Sequence, residues 1–388
     1  VTMRLIYFHV YEGGTPSGVN KKIFSQAINF YKSGCDFELR LFGESDLQPP
    51  DATYLVFFGT EPVGPNDRKT FRRLRRQYLL KKYIRQLISD SDSETIFYSR
   101  YPLPILLLPH DLPVQRRCKI VFECNSIEIN EHLESKDMIL YIRELLFGRW
   151  FRRNCDAIIG VTNEITQYQL RRSRDNGKPH LTMGNGFDVE SVTVRCPPYD
   201  SDYTLEILVL ATLARWHGVD RILNGIAQYD GPVLLHLHVV GDGPELENLK
   251  HMSDELKIRD KVTYYGYRSG ESLDALFSQC HVAAGSLGMQ RIGLTEGAIL
   301  KTREYCARGI PFLSSTSDPD FLDDFPFIHK ISPDETLVNI EEIIDFSRRV
   351  NRDRDHPRKM RAYALEHLDW SVKTRILAQF LETLIDET

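Results

Sequence analysis

Two glutamates and a lysine lie close together in one glycine-rich stretch. Residues 285–304 follow a short apolar run and contain Glu296, Lys301 and Glu304, and the two glutamates are eight residues apart. On one continuous helix, both carboxylates would face the same side, because eight residues make just over two turns. If the helix begins only after Glu296, loop N–H groups and Lys301 can bind a diphosphate, Glu304 can accept both ribose hydroxyls, and Glu296 lies against a sugar. The spacing also fits an ordinary charged surface helix.

Two other junctions between a strand pattern and a helix pattern contain glycines. Gly13 and Gly14 end the first strand pattern, and Gly241 ends a later one. Glycine lets backbone N–H groups approach an anion, and the N terminus of the next helix adds a partial positive charge. Neither junction has the spacing of a dinucleotide fingerprint, and helix capping by Asp242 explains the second one without a ligand. Each junction is therefore either a simple turn or a phosphate-binding loop.

These junctions belong to an alternation of strand and helix patterns that predicts parallel βαβ units in an α/β fold. In the first half we expect strands near 3–10, 36–42, 53–58, 94–99, 119–123 and 156–161, and helices near 19–33, 66–89, 127–153 and 163–173. In the second half we expect strands at 205–210, 234–240, 262–265, 281–284 and 311–314. Two doubly wound sheets in series would face each other across a cleft, with ligands at the carboxyl ends of the strands.

Composition limits the class of protein. The 388 residues suit two domains, and a net charge of −5 disfavours a surface devoted to nucleic acid. The sequence contains no apolar run of about 20 residues, and its seven cysteines are scattered, which predicts a cytoplasmic protein with reduced thiols. A break in the pattern near 185–204 predicts the linker. We expect one domain over 1–190 and a second over 191–370.

The stretch from Glu296 to Pro311 resembles the E-x7-E motif of family 4 of the retaining GT-B glycosyltransferases (glycosyltransferase group 1). That family commonly reads E-G-F-G-L-x-x-x-E-A-M-A-x-G-x-P. Both glutamates, the first glycine, the leucine, the alanine and the closing Gly-x-Pro match here. The glycine pair at 13–14, Asn185-Gly186-x-Asp188 and the segment 240–244 follow in the order of the family. The resemblance covers almost the whole chain. It implies that 1–190 binds the acceptor, together with a crossing helix at about 371–388, and that 191–370 binds the donor.

The resemblance implies transfer of a hexose, with retained configuration and without a metal, from a nucleotide diphosphate sugar to a glycan or lipid-linked acceptor in polysaccharide or glycolipid biosynthesis. UDP is expected from its prevalence in the family, and the nucleotide sugar is a co-substrate, so no cofactor is expected. Glu296, Lys301 and Arg291 form the implied catalytic set. The implied donor site comprises Gly13, Gly14, His217, Arg221, Gly241, Tyr267, Arg268, Leu287, Gly288, Leu300 and Glu304.

The sequence departs from the family pattern where the phosphates should bind. The usual Arg and Lys of the phosphate-binding segment are replaced by Thr212 and His217. Two phosphates still need cationic or N–H partners, so we expect Arg221, Arg291 and Lys301 to compensate. The central Phe-Gly of the motif is replaced by Ala298-Ile299, which puts the shape of the sugar pocket in question.

The acceptor side is expected at the strand ends of the first domain, with Ser17, Arg100, Glu123 and Asn125 as candidates. Glu123 could instead form a structural ion pair with Arg100. Residues 68–85 carry nine basic side chains and no acidic one. Phe71, Leu74, Tyr78 and Ile84 have helical spacing and are expected to be buried, which leaves a charged face that is either simply solvated or in contact with an anionic membrane. Nucleic acid is not expected as a partner.

Two other functions share the double-Rossmann plan. A sugar-nucleotide 2-epimerase needs carboxylates and a histidine converging on the sugar ring, and the E-x7-E stretch favours transfer instead. A catalytically inactive nucleotide-sugar-binding protein remains an alternative because Thr212 and His217 replace the usual cations.

Overall fold

Seven parallel strands form the first sheet of the computed structural model, which describes residues 3–11, 13, 18–47, 49–60, 69–101, 109, 112, 115–198 and 203–386, without the side chains of 69–73. The strand order is β3-β2-β1-β4-β5-β6-β7. The strands are β1 (Arg4–Val10), β2 (Asp36–Glu44), β3 (Leu55–Thr60), β4 (Thr95–Tyr101), β5 (Lys119–Cys124), β6 (Ala157–Gly160) and β7 (His180–Thr182). The helices between them are α1 (Gly18–Lys32), α2 (Lys69–Asp90), α3 (Glu128–Glu134), α4 (Met138–Asn154) and α5 (Asn163–Ser173).

Six parallel strands form the second sheet, in the order β10-β9-β8-β11-β12-β13. The strands are β8 (Thr204–Leu210), β9 (Leu234–Val240), β10 (Val262–Gly266), β11 (Val282–Ala284), β12 (Phe312–Ser314) and β13 (Ile328–Lys330). The helices are α6 (Val219–Gln228), α7 (Leu246–Glu255), α8 (Glu271–Gln279), α9 (Leu300–Arg308), α10 (Ile340–Asn351) and α11 (His356–Tyr363), with a π-helical turn at Ala364–Leu368. The fold is therefore α/β with two parallel sheets and interleaved helices, as expected.

The last helix, α12 (Trp370–Asp386), returns to the first sheet. Its Leu377, Leu381 and Leu384 pack with Ile23 and Phe30 of α1 in one hydrophobic core. The backbone accordingly divides into two compact units, Val1–Gly184 with Trp370–Thr388, and Asn185–Asp369. The boundaries expected from the sequence lie at 190 and 370, and their division into acceptor and donor domains stays a prediction.

The helix expected over 127–153 is interrupted. α3 ends at Glu134 and α4 begins at Met138. Lys136 lies between them with φ +58°, outside the right-handed helical region. Asp137 then caps α4, because its side chain accepts a hydrogen bond of 3.0 Å from the Leu140 N–H. The apolar pattern of 127–153 gives no sign of this interruption. The short strands β7 and β13 were also not predicted from the sequence.

The prediction of a buried stripe on α2 is wrong in part. Ile84 is buried together with Leu80 and Ile88, whereas Leu74 and Tyr78 are exposed. At 100° per residue these two side chains are rotated by about 100° from the buried row, so they point outward. Phe71 lies outside the side chains that the structure describes. Among the described helices, none is both long and apolar enough to cross a membrane.

Candidate functional site

The second sheet reverses its strand order between β8 and β11. β9 and β10 extend the sheet on one side of β8, and β11, β12 and β13 extend it on the other. In such a sheet, the loops that leave the two central strands diverge and open a crevice at their carboxyl ends, which is the usual ligand site of the fold. The loops 211–218 and 285–299 leave these two strands. The two sequence segments of greatest interest therefore meet at one place.

Glycines let these loops pack backbone against backbone. Gly241, which follows β9, has φ +126°, and a Cβ atom there would lie 1.8 Å from the carbonyl oxygen of Ala211. Gly218 has φ +65°, and a Cβ atom there would lie 2.7 Å from the carbonyl carbon of Leu287. Any other residue at either position would strain the backbone and separate the loops.

The amides of the first turn after β11 are already used. The N–H of Leu287 donates to the carbonyl oxygen of His217 at 3.0 Å, and that of Gly288 donates to the carbonyl oxygen of Trp216 at 3.1 Å. The expectation that these N–H groups are free for a diphosphate is therefore wrong. Their role is to hold the two loops together.

Helix α9 begins at Leu300, which resolves the two arrangements left open by the spacing of the glutamates. Glu296 precedes the helix and forms a parallel bridge with Ser317, while Glu304 lies on the helix. The half-buried Leu300 opens the helix, and Ile299 at its N-cap provides no side-chain hydrogen bond. A helix end without a cap leaves backbone N–H groups and a partial positive charge for an anion.

Lys301 lies in this first turn of α9. Its Nζ atom is buried and has no hydrogen-bond partner among the described residues. Burial lowers the pKa of the amine from 10.5 to about 7, because the charged form has lost its water without gaining a counter-ion. A buried cation without a partner is costly, so this position is suited to an anionic ligand.

His217 lies near Lys301 and is half-buried. Burial, and then the charge of Lys301, hold the pKa of the imidazole well below its usual range, so the ring is neutral at pH 7. Nδ1 accepts a hydrogen bond from the Ala214 N–H at 3.2 Å. A neutral ring that accepts at Nδ1 carries its proton at Nε2, so His217 can offer a hydrogen bond but no charge.

Glu304 points toward the end of its own helix. Its Oε1 atom accepts from Nε of Arg308 at 2.8 Å, and Arg308 also pairs with Asp274 at 2.6 Å. Oε2 receives no hydrogen bond from any residue that the structure describes. The ion pair therefore orients the carboxylate and leaves one oxygen available for a hydroxyl group.

The two arginines expected to compensate for the missing phosphate-binding cations are engaged elsewhere. Arg291 forms paired hydrogen bonds with Asp220 and with Glu335, at 2.5 to 2.9 Å, and these carboxylates raise its pKa. Arg221 is buried and donates to the carbonyl oxygens of Leu287, Ser332 and Thr336. Both guanidinium groups tie loops together, so Lys301 remains as the candidate cation of the original three. This pairing could not be read from the sequence, because the partners of Arg291 are more than 40 residues away.

The residues expected to contact the nucleotide base follow the edge strand β10. Tyr267 is exposed, and Arg268 donates to the carbonyl oxygen of Tyr267 at 2.9 Å. The structure thus brings Glu296, Lys301, Glu304 and His217 to the carboxyl ends of the central strands, and Tyr267 and Arg268 to the carboxyl end of an outer strand.

The first sheet has its own reversal of strand order, between β1 and β4. Gly13 follows β1 with φ +65°, and Arg100 lies near the end of β4. Gly14 and Ser17 lie outside the described residues. His9, which the sequence analysis missed, lies near the end of β1 within 3.3 Å of Asn20 Oδ1. Burial and the charge of Arg100 lower its pKa to about 4, although the bond to Asn20 opposes this shift. Its position near the carboxyl end of β1 was the signal that could have found it.

Glu123 pairs with Lys22 of α1, not with Arg100 as expected. It also accepts hydrogen bonds from Tyr98 and from Asn125, the latter at 2.9 Å, while Lys22 donates to Asn125 Oδ1 at 2.8 Å. Burial alone would raise the pKa of the carboxyl, but the Lys22 charge and these hydrogen bonds outweigh it and lower the pKa to about 2. Glu123 is therefore charged at neutral pH and held by buried partners, and its expected role on the acceptor side stays a prediction. Asn125, at the rim of this network, is partly exposed.

Solved structures share the fold of the chain. Sucrose-phosphate synthase from Thermosynechococcus elongatus matches with a TM-score of 0.68 at 15% identity, over 99% of this chain and 100% of that one. The lipopolysaccharide outer core galactosyltransferase WaaB matches with a TM-score of 0.63 at 16% identity, over 97% and 99%. Anabaena HepE in complex with UDP-glucose matches with a TM-score of 0.62 at 14% identity, over 98% and 99%. These similarities show that the fold is GT-B.

Part of the sequence also matches a protein-family model. Residues 201–323 match the family model for glycosyl transferases group 1. A search of curated protein sequences finds no significant match. The matched segment and the GT-B fold together support a glycosyltransferase.

Proposed function

We propose that the protein is a retaining, metal-independent glycosyltransferase that moves a hexose from a UDP-sugar to a glycan or lipid-linked acceptor. The single observation that carries this proposal is the buried amine of Lys301 at the uncapped start of α9, between Glu296 in the loop and Glu304 on the helix. A diphosphate at this point gives the amine the counter-ion that the protein itself does not provide.

Lys301 then does the work of the lysine that the family carries at the position of His217. The two side chains are close enough for the charge of Lys301 to act on the imidazole. A cation that moves from the loop after β8 to the first turn of α9 can still reach the same phosphates. His217 contributes a neutral Nε2–H donor in place of a charge.

The leaving diphosphate gains negative charge as the glycosidic bond breaks. The partial positive charge at the start of α9 and the Lys301 ammonium stabilise this charge without a metal ion. Glu304 orients the ribose through its second oxygen, and Glu296 orients the hydroxyl groups of the donor sugar. Tyr267 and Arg268 hold the base. The choice of UDP is supported by HepE, whose structure was solved with UDP-glucose.

The acceptor binds, in this proposal, at the strand ends of the first unit, near Arg100 and Asn125. Helix α2 supplies a basic surface for an anionic membrane that presents the acceptor. Its described part combines the exposed Leu74 and Tyr78 with five basic residues, which are Arg75, Arg76, Lys81, Lys82 and Arg85. Apolar side chains among basic ones are typical of a helix that lies at a membrane interface.

A panel of UDP- and GDP-sugars tests the proposal. We expect slow release of UDP from one UDP-sugar, at a rate that EDTA does not change, and faster release when glycan or lipid-linked acceptors are added. Nuclear magnetic resonance of the product should show the donor's anomeric configuration. Glu304→Ala should lose this activity, whereas Glu366→Ala, at an exposed glutamate of the same unit, should keep it.

Three results would contradict the proposal. An isomerised nucleotide sugar would indicate an epimerase. Tight binding of UDP-sugars without turnover, even with acceptors present, would indicate an inactive binding protein. Absence of binding to every nucleotide sugar would reject the donor site itself.

A further inference from the structure

The outward face of α4 is apolar. Five large side chains on it are between 46% and 66% exposed: Met138, Ile139, Ile142, Leu145 and Leu146. At 100° per residue they fall within about 120° of one another, so they form a single stripe along three turns. We call these five residues the apolar α4 face.

The inward face of the same helix buries charged side chains beside Phe151. Arg152 is buried and donates to Glu128 at 2.7 Å, to the Gly148 carbonyl oxygen at 2.8 Å and to Glu144 at 2.5 Å. Arg143 is also buried. A surface helix of a soluble protein normally has the opposite arrangement, with its apolar stripe inward and its charges outward. The inversion indicates that the apolar α4 face is used for binding.

Arginines continue this face toward the end of the helix. Arg149 and Arg153 follow at spacings of three and four residues from Leu145, Leu146 and each other, so they lie on the same side as the apolar stripe. Arg174, which ends α5, is near enough to act on Arg149. Desolvation and the charges of Arg174 and Arg153 lower the pKa of Arg149, and no carboxylate of the described residues opposes them. This crowding of like charges favours an anionic partner.

Helices α2 and α4 cover the same face of the first sheet. The ring of Phe8 packs 6.3 Å from Tyr83 of α2 and stacks on Phe97 of β4 at 5.7 Å. Tyr101, four residues after Phe97, packs 6.3 Å from Phe151 of α4. Side chains alternate along a strand, so Phe97 and Tyr101 point to the same side. The basic surface of α2 and the apolar α4 face therefore belong to one side of the first unit.

We propose that the apolar α4 face inserts into an anionic lipid surface, with Arg149, Arg153 and Arg174 bound to the lipid phosphates. The inference deepens the proposed function and rests on it, because the proposed lipid-linked acceptor is the reason for the enzyme to meet a membrane. The apolar side chains provide the insertion that basic residues alone do not, and the arginines select membranes of negative charge.

Vesicle flotation tests the proposal with the full chain. We expect the wild type to float with vesicles that contain 30% phosphatidylglycerol and to float weakly with pure phosphatidylcholine. Ile142→Ser/Leu146→Ser should lower the partition into anionic vesicles by about tenfold or more, because both apolar anchors are lost. Arg149→Ala/Arg153→Ala should weaken the preference for anionic lipid, because Arg174 and the basic residues of α2 remain. Leu322→Ser, at a leucine of the second unit that is 65% exposed, is the matched control and should float like the wild type.

Two outcomes overturn the inference. Wild type and Ile142→Ser/Leu146→Ser could float equally well, which would limit any membrane contact to other surfaces such as α2. Light scattering could instead show a dimer that the same double variant dissociates, which would assign the face to a second copy of the chain. UDP-glucose binding is measured on the same samples by calorimetry. Absence of binding to UDP-glucose and to every other nucleotide sugar of the panel in the wild type would reject the proposed function. Normal binding with flotation that the α4 substitutions leave unchanged would reject only the role of α4.

Discussion

Replacing Lys301 with methionine should make the protein more stable and a weaker binder of UDP-sugars. Methionine has nearly the same length and suits a buried site, and it removes the buried charge that has no counter-ion. A purely structural lysine would behave in the opposite way, because its loss would destabilise the fold and leave the ligand unaffected. The two measurements together therefore separate a ligand-binding lysine from a structural one.

The pKa of Lys301 sets the size of the effect. Its fall from 10.5 to about 7 corresponds to roughly 5 kcal/mol of destabilisation when the amine is charged in both states, and to about 4 kcal/mol at pH 7. The unfolded chain binds the proton more tightly, so this cost is complete below pH 7 and disappears as pH rises toward 10.5. At pH 7 we expect the melting temperature of Lys301→Met to exceed that of the wild type by about 10 °C. The difference should shrink at pH 9.

Protonation of Lys301 should also affect ligand binding. A diphosphate favours the charged amine, so above pH 7 the wild type must take up a proton when UDP-glucose binds. The affinity should fall by about fifty-fold from pH 7 to pH 9, whereas that of Lys301→Met should be weak and independent of pH over this range. Isothermal titration calorimetry in buffers of different ionisation enthalpy measures both the affinity and the proton uptake.

The matched control is Lys250→Met. Lys250 lies on the surface of α7 and pairs with Glu247 at 2.8 Å. We expect the melting temperature of Lys250→Met and its affinity for UDP-glucose to equal those of the wild type within experimental error. If Lys301→Met lowers the melting temperature and binds UDP-glucose with the wild-type affinity and pH profile, Lys301 is not a phosphate ligand and the site is wrongly assigned.

Four further predictions concern three carboxylates and one glycine. Glu304→Ala should weaken UDP-glucose binding by about tenfold or more through loss of a charged hydrogen bond, and Glu296→Ala should lower kcat by about a hundredfold; wild-type values for both in a transfer assay would refute the roles assigned. Gly241→Ala should cost about 3 kcal/mol in urea unfolding, because its Cβ would collide with the Ala211 carbonyl. Glu123→Gln should cost about 3–5 kcal/mol at pH 7, because it removes the buried negative charge that pairs with Lys22. That stability is present above pH 4.5 and is lost toward pH 2, where the wild-type carboxyl protonates; an unchanged acid transition would contradict it.

The sequence alone predicted most of the architecture. The strand at 234–240 and the helix at 163–173 coincide with β9 and α5, because a short apolar run and helical periodicity are local signals. The errors in the predicted helices and strands also have local causes. The left-handed Lys136 breaks an otherwise continuous helical pattern, and β13 is a three-residue strand too short to show any period.

The candidate site was only partly predictable. The E-x7-E spacing located Glu296 and Glu304, but spacing could not decide where the helix begins, and the start of α9 at Leu300 settles that point. The pairing of Arg221 and Arg291 was not predicted, because an arginine in a sequence shows a charge without showing its partner. Arg291 binds Asp220 in the first turn of α6 and Glu335 in the segment between β13 and α10.

The amino-acid order determined the alternation of strands and helices, the glycine turns and the two glutamates, since each depends on neighbours within a few residues. Tertiary structure decided which charges are paired. Glu123 meets Lys22 across 101 positions of sequence, while Lys301 is buried without a hydrogen-bond partner among the described residues. The physical reason is that desolvation and ion pairing depend on distances in space, which only the packing of the sheets and helices establishes.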